Sequence, residues 1–307
     1  MNKPLRVVVV GSGGRMGAAL VRHLRSTPER FHVVAYDHKA MDLLRPGQTE
    51  DHLRAIQFDA LINCAAMTSL EGCEDRPEEA TQVNVEAPRQ MAMICNAVGA
   101  RMIQISTDYV YHGTQPGLRR EGDPENPLSH YARTKCAGDQ AVLDVNKTFL
   151  SARTSWVFGP DRPSFVDQIL RQARTDDAVF GIADKFSVPS YSADLAKWLA
   201  IILEKPGISG LLNLCNSGQA SWQSYAQQAL DIARELGWPL RATTVTGTKL
   251  ADIKAFRAPR PYFTTMSSEL LAREIGQKIR SWNDALREYL ETFYSSSPAP
   301  PTPTPNP

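Results

Sequence analysis

Tyr131 and Lys135 are four residues apart, and that pair sets the chemistry this sequence could perform. On a helix the spacing puts phenol and ammonium on one face, one turn apart. A tyrosine in water keeps its proton until about pH 10, so acid–base work needs a neighbour that stabilises the phenolate. Tyr-x-x-x-Lys arises by chance on many exposed helix faces, so its weight depends on what precedes it. Upstream lies Ser106-Thr107-Asp108-Tyr109-Val110-Tyr111, a hydroxyl-bearing strand end that leads into a Gly/Pro-rich loop. The plainer readings are that Thr107 is one more β-branched strand residue and that Asp108 caps the loop.

A second cluster, Gly11-Ser-Gly-Gly14-Arg15-Met16-Gly17, follows the apolar, β-branched run Leu5 to Val10. An amphipathic stretch with Met16, Leu20, Val21 and Leu24 on one side comes next. Gly11 permits the tight turn, Gly14 lets the backbone approach a pyrophosphate at the helix N-terminus, and Gly17 lets helix and strand pack closely. A purely structural turn is the alternative, but strand, glycines and helix in that order favour a dinucleotide. Asp37 ends the next apolar run, Phe31 to Tyr36, where a carboxylate would hold the adenosine ribose. That favours NADH, and a solvated loop aspartate is the plain alternative. Arg15, with Lys39 nearby, is placed to grip a 2′-phosphate, which favours NADPH. The two together predict use of both NADPH and NADH.

The elements that would position these groups alternate regularly. Strands are expected over residues 5–10, 31–36, 60–64, 102–105, 148–153, 179–182 and 211–215. Helices are expected after the glycines and over 78–98 (interrupted by Pro88), 129–145, 165–174, 193–203, 222–236 and 282–293, the last capped by Ser281. Alternation of this kind specifies an α/β fold, a Rossmann-type doubly wound parallel sheet with a smaller C-terminal substrate domain. Gly11, Asp37, Ala65 and Thr107 then all lie at carboxyl ends of strands, where such sheets bind ligands. Gly159-Pro160 breaks the alternation, so residues 1–159 are expected to form the NAD(P)-binding domain. Residues 160–294 are expected to form the substrate-binding part, with some segments returning to the first domain. Residues 295–307 are Ser/Pro-rich and expected to be a disordered tail.

Composition excludes several classes. The chain has 307 residues, with 34 basic against 33 acidic. No basic stripe argues for nucleic acid, and no apolar run approaches the roughly 20 residues of a membrane span. The five cysteines are scattered and the six histidines lack metal-ligand spacing, which suits free thiols in a reducing cytoplasm and no metal.

On these residues the chain resembles the extended short-chain dehydrogenase/reductase family, and within it the dTDP-4-dehydrorhamnose reductase branch. The matching motifs run in order: Gly11-x-x-Gly14-x-x-Gly17, Asn63-Cys-Ala-Ala-Met-Thr68, Val83-Asn84, Ser106-Thr-Asp-Tyr-Val-Tyr111, Tyr131-x-x-x-Lys135, Arg153-Thr-Ser-Trp-Val157 and Arg260-Pro261. Ala132, Asp139 and Pro259 depart from the pattern, standing where Gly, Glu and Arg are usual. The resemblance implies reduction of the 4-keto group of a nucleotide-linked deoxysugar by NADPH or NADH. It implies Thr107, Tyr131 and Lys135 as catalytic residues, with Tyr131 as proton donor and Lys135 on the nicotinamide ribose. It also implies coenzyme contacts from Gly11, Gly14, Arg15, Met16, Gly17, Asp37, Asp42, Leu43, Ala65, Ala66, Met67, Tyr131 and Lys135. Thr68, Thr107, Asp108 and Trp156 would hold the sugar nucleotide, and a homodimer is one option for assembly. Two alternatives stay open. One is a related epimerase or dehydratase, against which Asp108-Tyr109 argues, since dehydratases place Asp-Glu after the active Thr. The other is a non-catalytic subunit resembling the regulatory subunit of methionine adenosyltransferase.

Overall fold

The structure, a computed structural model, describes residues 3–294. The Pro-rich tail expected at 295–307 lies outside the described residues. Strand β1 (Leu5–Val10) carries four consecutive valines, all buried. Val7 and Val9 face one helical layer, and Val8 and Val10 face the other. Only a strand covered on both faces tolerates such a run, and each buried valine contributes about 1.5–3 kcal/mol. Beside β1 lie β2 (Phe31–Tyr36) and β3 (Ala60–Asn63), followed by β4 (Arg101–Thr107) and β5 (Leu150–Thr154). The strand Gly210–Asn213 completes a parallel sheet in the order 210–213, β5, β4, β3, β1, β2.

Helix α1 (Arg15–Arg25) packs on the Val7/Val9 face together with the helices Ser192–Leu203 and Glu269–Ile275. Three late segments of the chain, 192–203, 210–213 and 269–275, therefore belong to the sheet assembly. The opposite face is covered by Pro46–Arg54 and Ala87–Val98. A separate apolar cluster gathers Phe158, Val179, Tyr225, Val245 and Leu286 around the helices Phe165–Thr175, Trp222–Glu235 and Trp282–Tyr294.

Several details differ from the pattern reading. The helix expected over 78–98 begins as Pro77–Thr81, widens to a π-turn over Gln82–Glu86, and continues as Ala87–Val98. Pro88 then falls in the first turn of a helix, where its missing N–H costs nothing. The wider turn aims Asn84 at the loop after β3, to which it is hydrogen-bonded through Met67. Short helices at Pro46–Arg54, Leu70–Asp75 and Glu269–Ile275 lack a long apolar period and were not expected. The Val179–Ile182 strand lies outside the main sheet and pairs in parallel with Val245–Thr248.

Candidate active site

The glycine turn joins β1 to α1. Gly11 has φ +79°, and a Cβ there would meet the Ala65 backbone at 2.5 Å. A Cβ on Gly17 would sit 2.2 Å from Gly11 O, so turn and helix can close only without side chains. The N-cap of α1, Gly14, provides no side-chain hydrogen bond, and the first turn holds no acid. The backbone N–H groups there are free to take an anion, aided by the helix dipole. Asp37 lies just beyond β2, exposed. Its Oδ1 accepts from the backbone N–H groups of Lys39 and Ala40 at 3.0 and 2.9 Å, which orients the carboxylate. Asp42 likewise braces its own loop by accepting from Leu44 N–H at 3.0 Å, and Leu43 is buried beneath it. The Ala65-Ala66-Met67 loop after β3 is held from both ends. Asn63 Oδ1 accepts from Ala65 N–H at 3.0 Å, and Asn84 Oδ1 accepts from Met67 N–H at 2.9 Å. A pyrophosphate-linked dinucleotide fits this set, in which open amides, an exposed carboxylate and the Ala65-Ala66-Met67 loop all follow the carboxyl ends of neighbouring strands.

Arg15 does not reach toward Asp37. Its guanidinium turns the other way and donates to three carbonyls, Val157 O at 3.1 Å, Arg162 O at 3.2 Å and Pro163 O at 2.6 Å. Its main chain stays in the glycine turn while its side chain anchors the 157–163 segment. Arg22 adds an ion pair to Asp161. The cation that does stand beside Asp37 is Arg162, whose Nε donates to Gly13 O at 2.7 Å. A Cβ on Gly13 would lie 3.4 Å from Asp37 Cβ and 3.9 Å from Arg162 Nη2. Nothing local in the sequence marks Arg162, because it reaches the turn only when the chain returns nearly 150 residues later.

Thr107 ends β4, and the helix His130–Val145, capped by Ser129, brings Tyr131 against it. The Tyr131 phenol stands beside the Thr107 hydroxyl on one cavity wall. Burial raises the phenol above its usual range, and Asp108 raises it further, whereas the Thr107 hydroxyl works the other way. At neutral pH the group is a protonated donor. Lys135 is 2 % exposed and donates from Nζ to Ile105 O at 2.7 Å. Burial lowers its affinity for a proton, and Asp139 and Cys64 oppose that. The Thr107 hydroxyl favours the phenolate, while the Lys135 ammonium gives one of its three protons to the strand below. Asp139 in turn accepts from Ser106 Oγ at 2.7 Å and faces the fully buried Arg153, and burial pushes its carboxyl up to about 6.

Asp108 is a buried junction. Its Oδ2 accepts from Ser155 Oγ at 3.0 Å, Ser187 Oγ at 2.7 Å and Thr264 Oγ1 at 2.5 Å. Its Oδ1 accepts from Thr107 Oγ1 at 3.3 Å. One carboxylate thus ties the strand end to three later segments of the chain. Trp156, at φ +46°, is the one non-glycine residue with positive φ among the described residues. Holding a tryptophan there costs about 1–3 kcal/mol, a strain found where side-chain placement matters. Its ring packs at a tilt against Phe165 and Trp222 and edge-on to Tyr225, with ring centres 5.1–5.7 Å apart.

These residues enclose an open cavity of about 320 Å³, lined by Thr68, Thr107, Asp108, Tyr131 and Trp156 on the expected side. Phe165, Trp222 and Lys185 also line it and were not singled out from the sequence. Phe165 and Trp222 each open a helix, a position that by itself signals only a helix start.

A parallel sheet with a glycine turn, a Thr/Tyr/Lys group beside it and a cavity at the strands' carboxyl ends define a class, the Rossmann-type short-chain dehydrogenase/reductase fold. The chain belongs to the family described as the RmlD substrate binding domain, whose model matches residues 5–295. It is 33% identical over 305 residues to dTDP-4-dehydrorhamnose reductase of Mycolicibacterium smegmatis, covering 97% of this chain and 90% of that protein. It is 31% identical over 306 residues to a probable dTDP-4,6-dihydroxy-2-methyloxan-3-one 4-ketoreductase of Streptomyces antibioticus, covering 97% and 98%. The crystal structure of dTDP-4-dehydrorhamnose reductase from Bacillus anthracis in complex with NADP superposes with a TM-score of 0.86 at 26% identity, covering 94% of this chain and 99% of that one.

Proposed function

We propose that this chain is an NAD(P)H-dependent reductase of the 4-keto group of a dTDP-linked deoxysugar, of the dTDP-4-dehydrorhamnose to dTDP-rhamnose type. The observation that carries the reading is the buried, protonated Tyr131 phenol beside the Thr107 hydroxyl, on the wall of a cavity that Trp156 also lines. Gly11, Gly14, the α1 amides of Arg15 to Gly17, Asp37, Asp42, Leu43 and the Ala65–Met67 loop hold the dinucleotide. When bound, the nicotinamide supplies the hydride. Tyr131 gives its proton to the developing alkoxide, and Thr107 shares the charge through its hydroxyl. Lys135 fixes the phenol's helix against β4 and would hold the nicotinamide ribose with its remaining N–H donors. Trp156 and Thr68 hold the sugar. The free cysteines and the nucleotide-sugar chemistry support a cytoplasmic site of action.

Dehydration is disfavoured because Asp108 is committed to four hydroxyl donors and is no free acid. The related 4-ketoreductase among the relatives leaves the sugar's other substituents open. The test is coenzyme oxidation with a panel of dTDP-4-keto sugars, read as loss of reduced-nicotinamide absorbance with the product identified by mass. Turnover of at least one panel member is expected, and none with either coenzyme refutes the reading.

A further inference from the structure

Lys185 is a charged side chain that the proposed reaction leaves without a task. It is 1 % exposed, and it lines the same cavity as Thr107, Tyr131 and Trp156. Its backbone lies between the strand Val179–Ile182 and the two-residue strand Phe186–Ser187. Alternation along this extended segment turns Lys185 and Ser187 to the cavity and Phe186 away, where it stacks on Phe263 at 5.6 Å. The ammonium donates one hydrogen bond, to Pro261 O at 2.9 Å, and lies 4.7 Å from the centre of the Tyr109 ring. The charged groups around it are Asp108, from the turn after β4, and Arg260, from the 256–263 segment. Arg260 is itself paired with Glu71 at 2.9 Å. Asp108 supports the ammonium at longer range but gives its near lone pairs to hydroxyls.

An ammonium has three protons to donate, and here one carbonyl takes one of them. Burying a charge this incompletely satisfied is costly unless a bound partner completes it. Burial indeed drives the lysine down to about 8. The other cation on the cavity wall, Arg15, is already occupied by three carbonyls. Tyr109, in contact with the ammonium, packs edge-on to Tyr131 at 6.1 Å between ring centres, so Lys185 and the proton donor flank the same aromatic ring on one cavity wall.

We propose that Lys185 is a substrate-recognition residue that donates hydrogen bonds to an oxygen substituent of the sugar ring, on the side away from the coenzyme. This rests on the sugar-nucleotide reading above and adds a selection rule to it. A ring oxygen substituent is favoured at that position, and an ammonium-bearing amino sugar is repelled by like charge. The Pro261 carbonyl steers the ammonium toward the cavity wall.

Titration calorimetry with dTDP-rhamnose and with dTDP alone, on wild type, Lys185→Met and Lys185→Gln, tests the assignment. Lys185→Met should weaken dTDP-rhamnose about ten- to hundredfold, the usual loss for a hydrogen bond to a charged donor, and leave dTDP within twofold. Lys185→Gln, which keeps an N–H donor, should recover part of the loss. The thermal midpoint of Lys185→Met should hold or rise, because an apolar chain of similar length replaces a poorly paired buried charge. In wild type, sugar affinity should fall as pH rises through about 8, where the ammonium loses its proton, and Lys185→Met should lack that fall. Equal weakening of both ligands would assign the cation to the diphosphate and overturn the proposal. So would unchanged binding of dTDP-rhamnose, or a lowered midpoint with loss of both ligands. Wild type that binds neither ligand sinks the sugar-nucleotide reading itself, and the Lys185 assignment with it.

Discussion

Coenzyme selection should be governed by Arg162 and Asp37. The 2′-phosphate of NADPH would sit beyond the Asp37 carboxylate, at the corner where Gly13 brings Asp37 and Arg162 within 4 Å of a common point. Two unit charges about 5 Å apart interact by ~0.8 kcal/mol in water and ~3 kcal/mol at an effective dielectric of 20. Arg162 is exposed, so salt screens it and the lower half of that range applies. About 1–2 kcal/mol corresponds to a five- to thirtyfold change in Kd. Arg162→Ala should therefore weaken NADPH by that factor and NADH by less than twofold. Asp37→Ala should move the ratio the other way, since it removes the carboxylate that repels phosphate and grips ribose hydroxyls. Arg15→Ala should weaken NADPH more than NADH, though less than Arg162→Ala does, because its guanidinium holds the 157–163 segment that carries Arg162. Nicotinamide fluorescence titrations at low and physiological salt read all of this without substrate, and the Arg162 effect should shrink as salt rises. The reasoning is refuted if Arg162→Ala leaves the NADPH/NADH ratio unchanged.

Other consequences are equally direct. Tyr131→Phe should cut kcat by ~10²–10⁴ with coenzyme Kd intact, the range for loss of a general acid, and full activity would remove Tyr131 from the chemistry. Trp156→Ala should raise KM for the sugar nucleotide about tenfold without changing coenzyme Kd. A coenzyme defect with normal KM would make the ring structural support instead. Asp108→Ala leaves four hydroxyls without their acceptor and Lys185 without its counter-charge. Breaking a buried charged network costs ~3–5 kcal/mol. At a urea slope of ~3 kcal/mol/M the midpoint should fall by about 1–2 M, and an unshifted midpoint would show the junction to be dispensable.

The sequence by itself determined whatever is written in short-range pattern. The valine run, the glycine turn and the Ser129-capped helix bearing Tyr131 and Lys135 are local, since propensity, capping and period act over a few residues. Their assembly at one sheet edge followed from the β/α alternation, which admits few topologies. Helical spacing put Lys135 one turn from Tyr131, and only the folded chain shows that its ammonium also donates to Ile105 O. Arg15, which its place in the glycine turn alone would offer to a 2′-phosphate, instead donates to three carbonyls of a segment about 150 residues on. Arg162, Lys185 and Trp222 carry no periodic or motif signal. They join the site through chain returns that only long-range packing fixes, and the Asp108 junction ties those returns together. Side-chain direction depends on which acceptors the folded chain brings near, so the tertiary structure alone decided it.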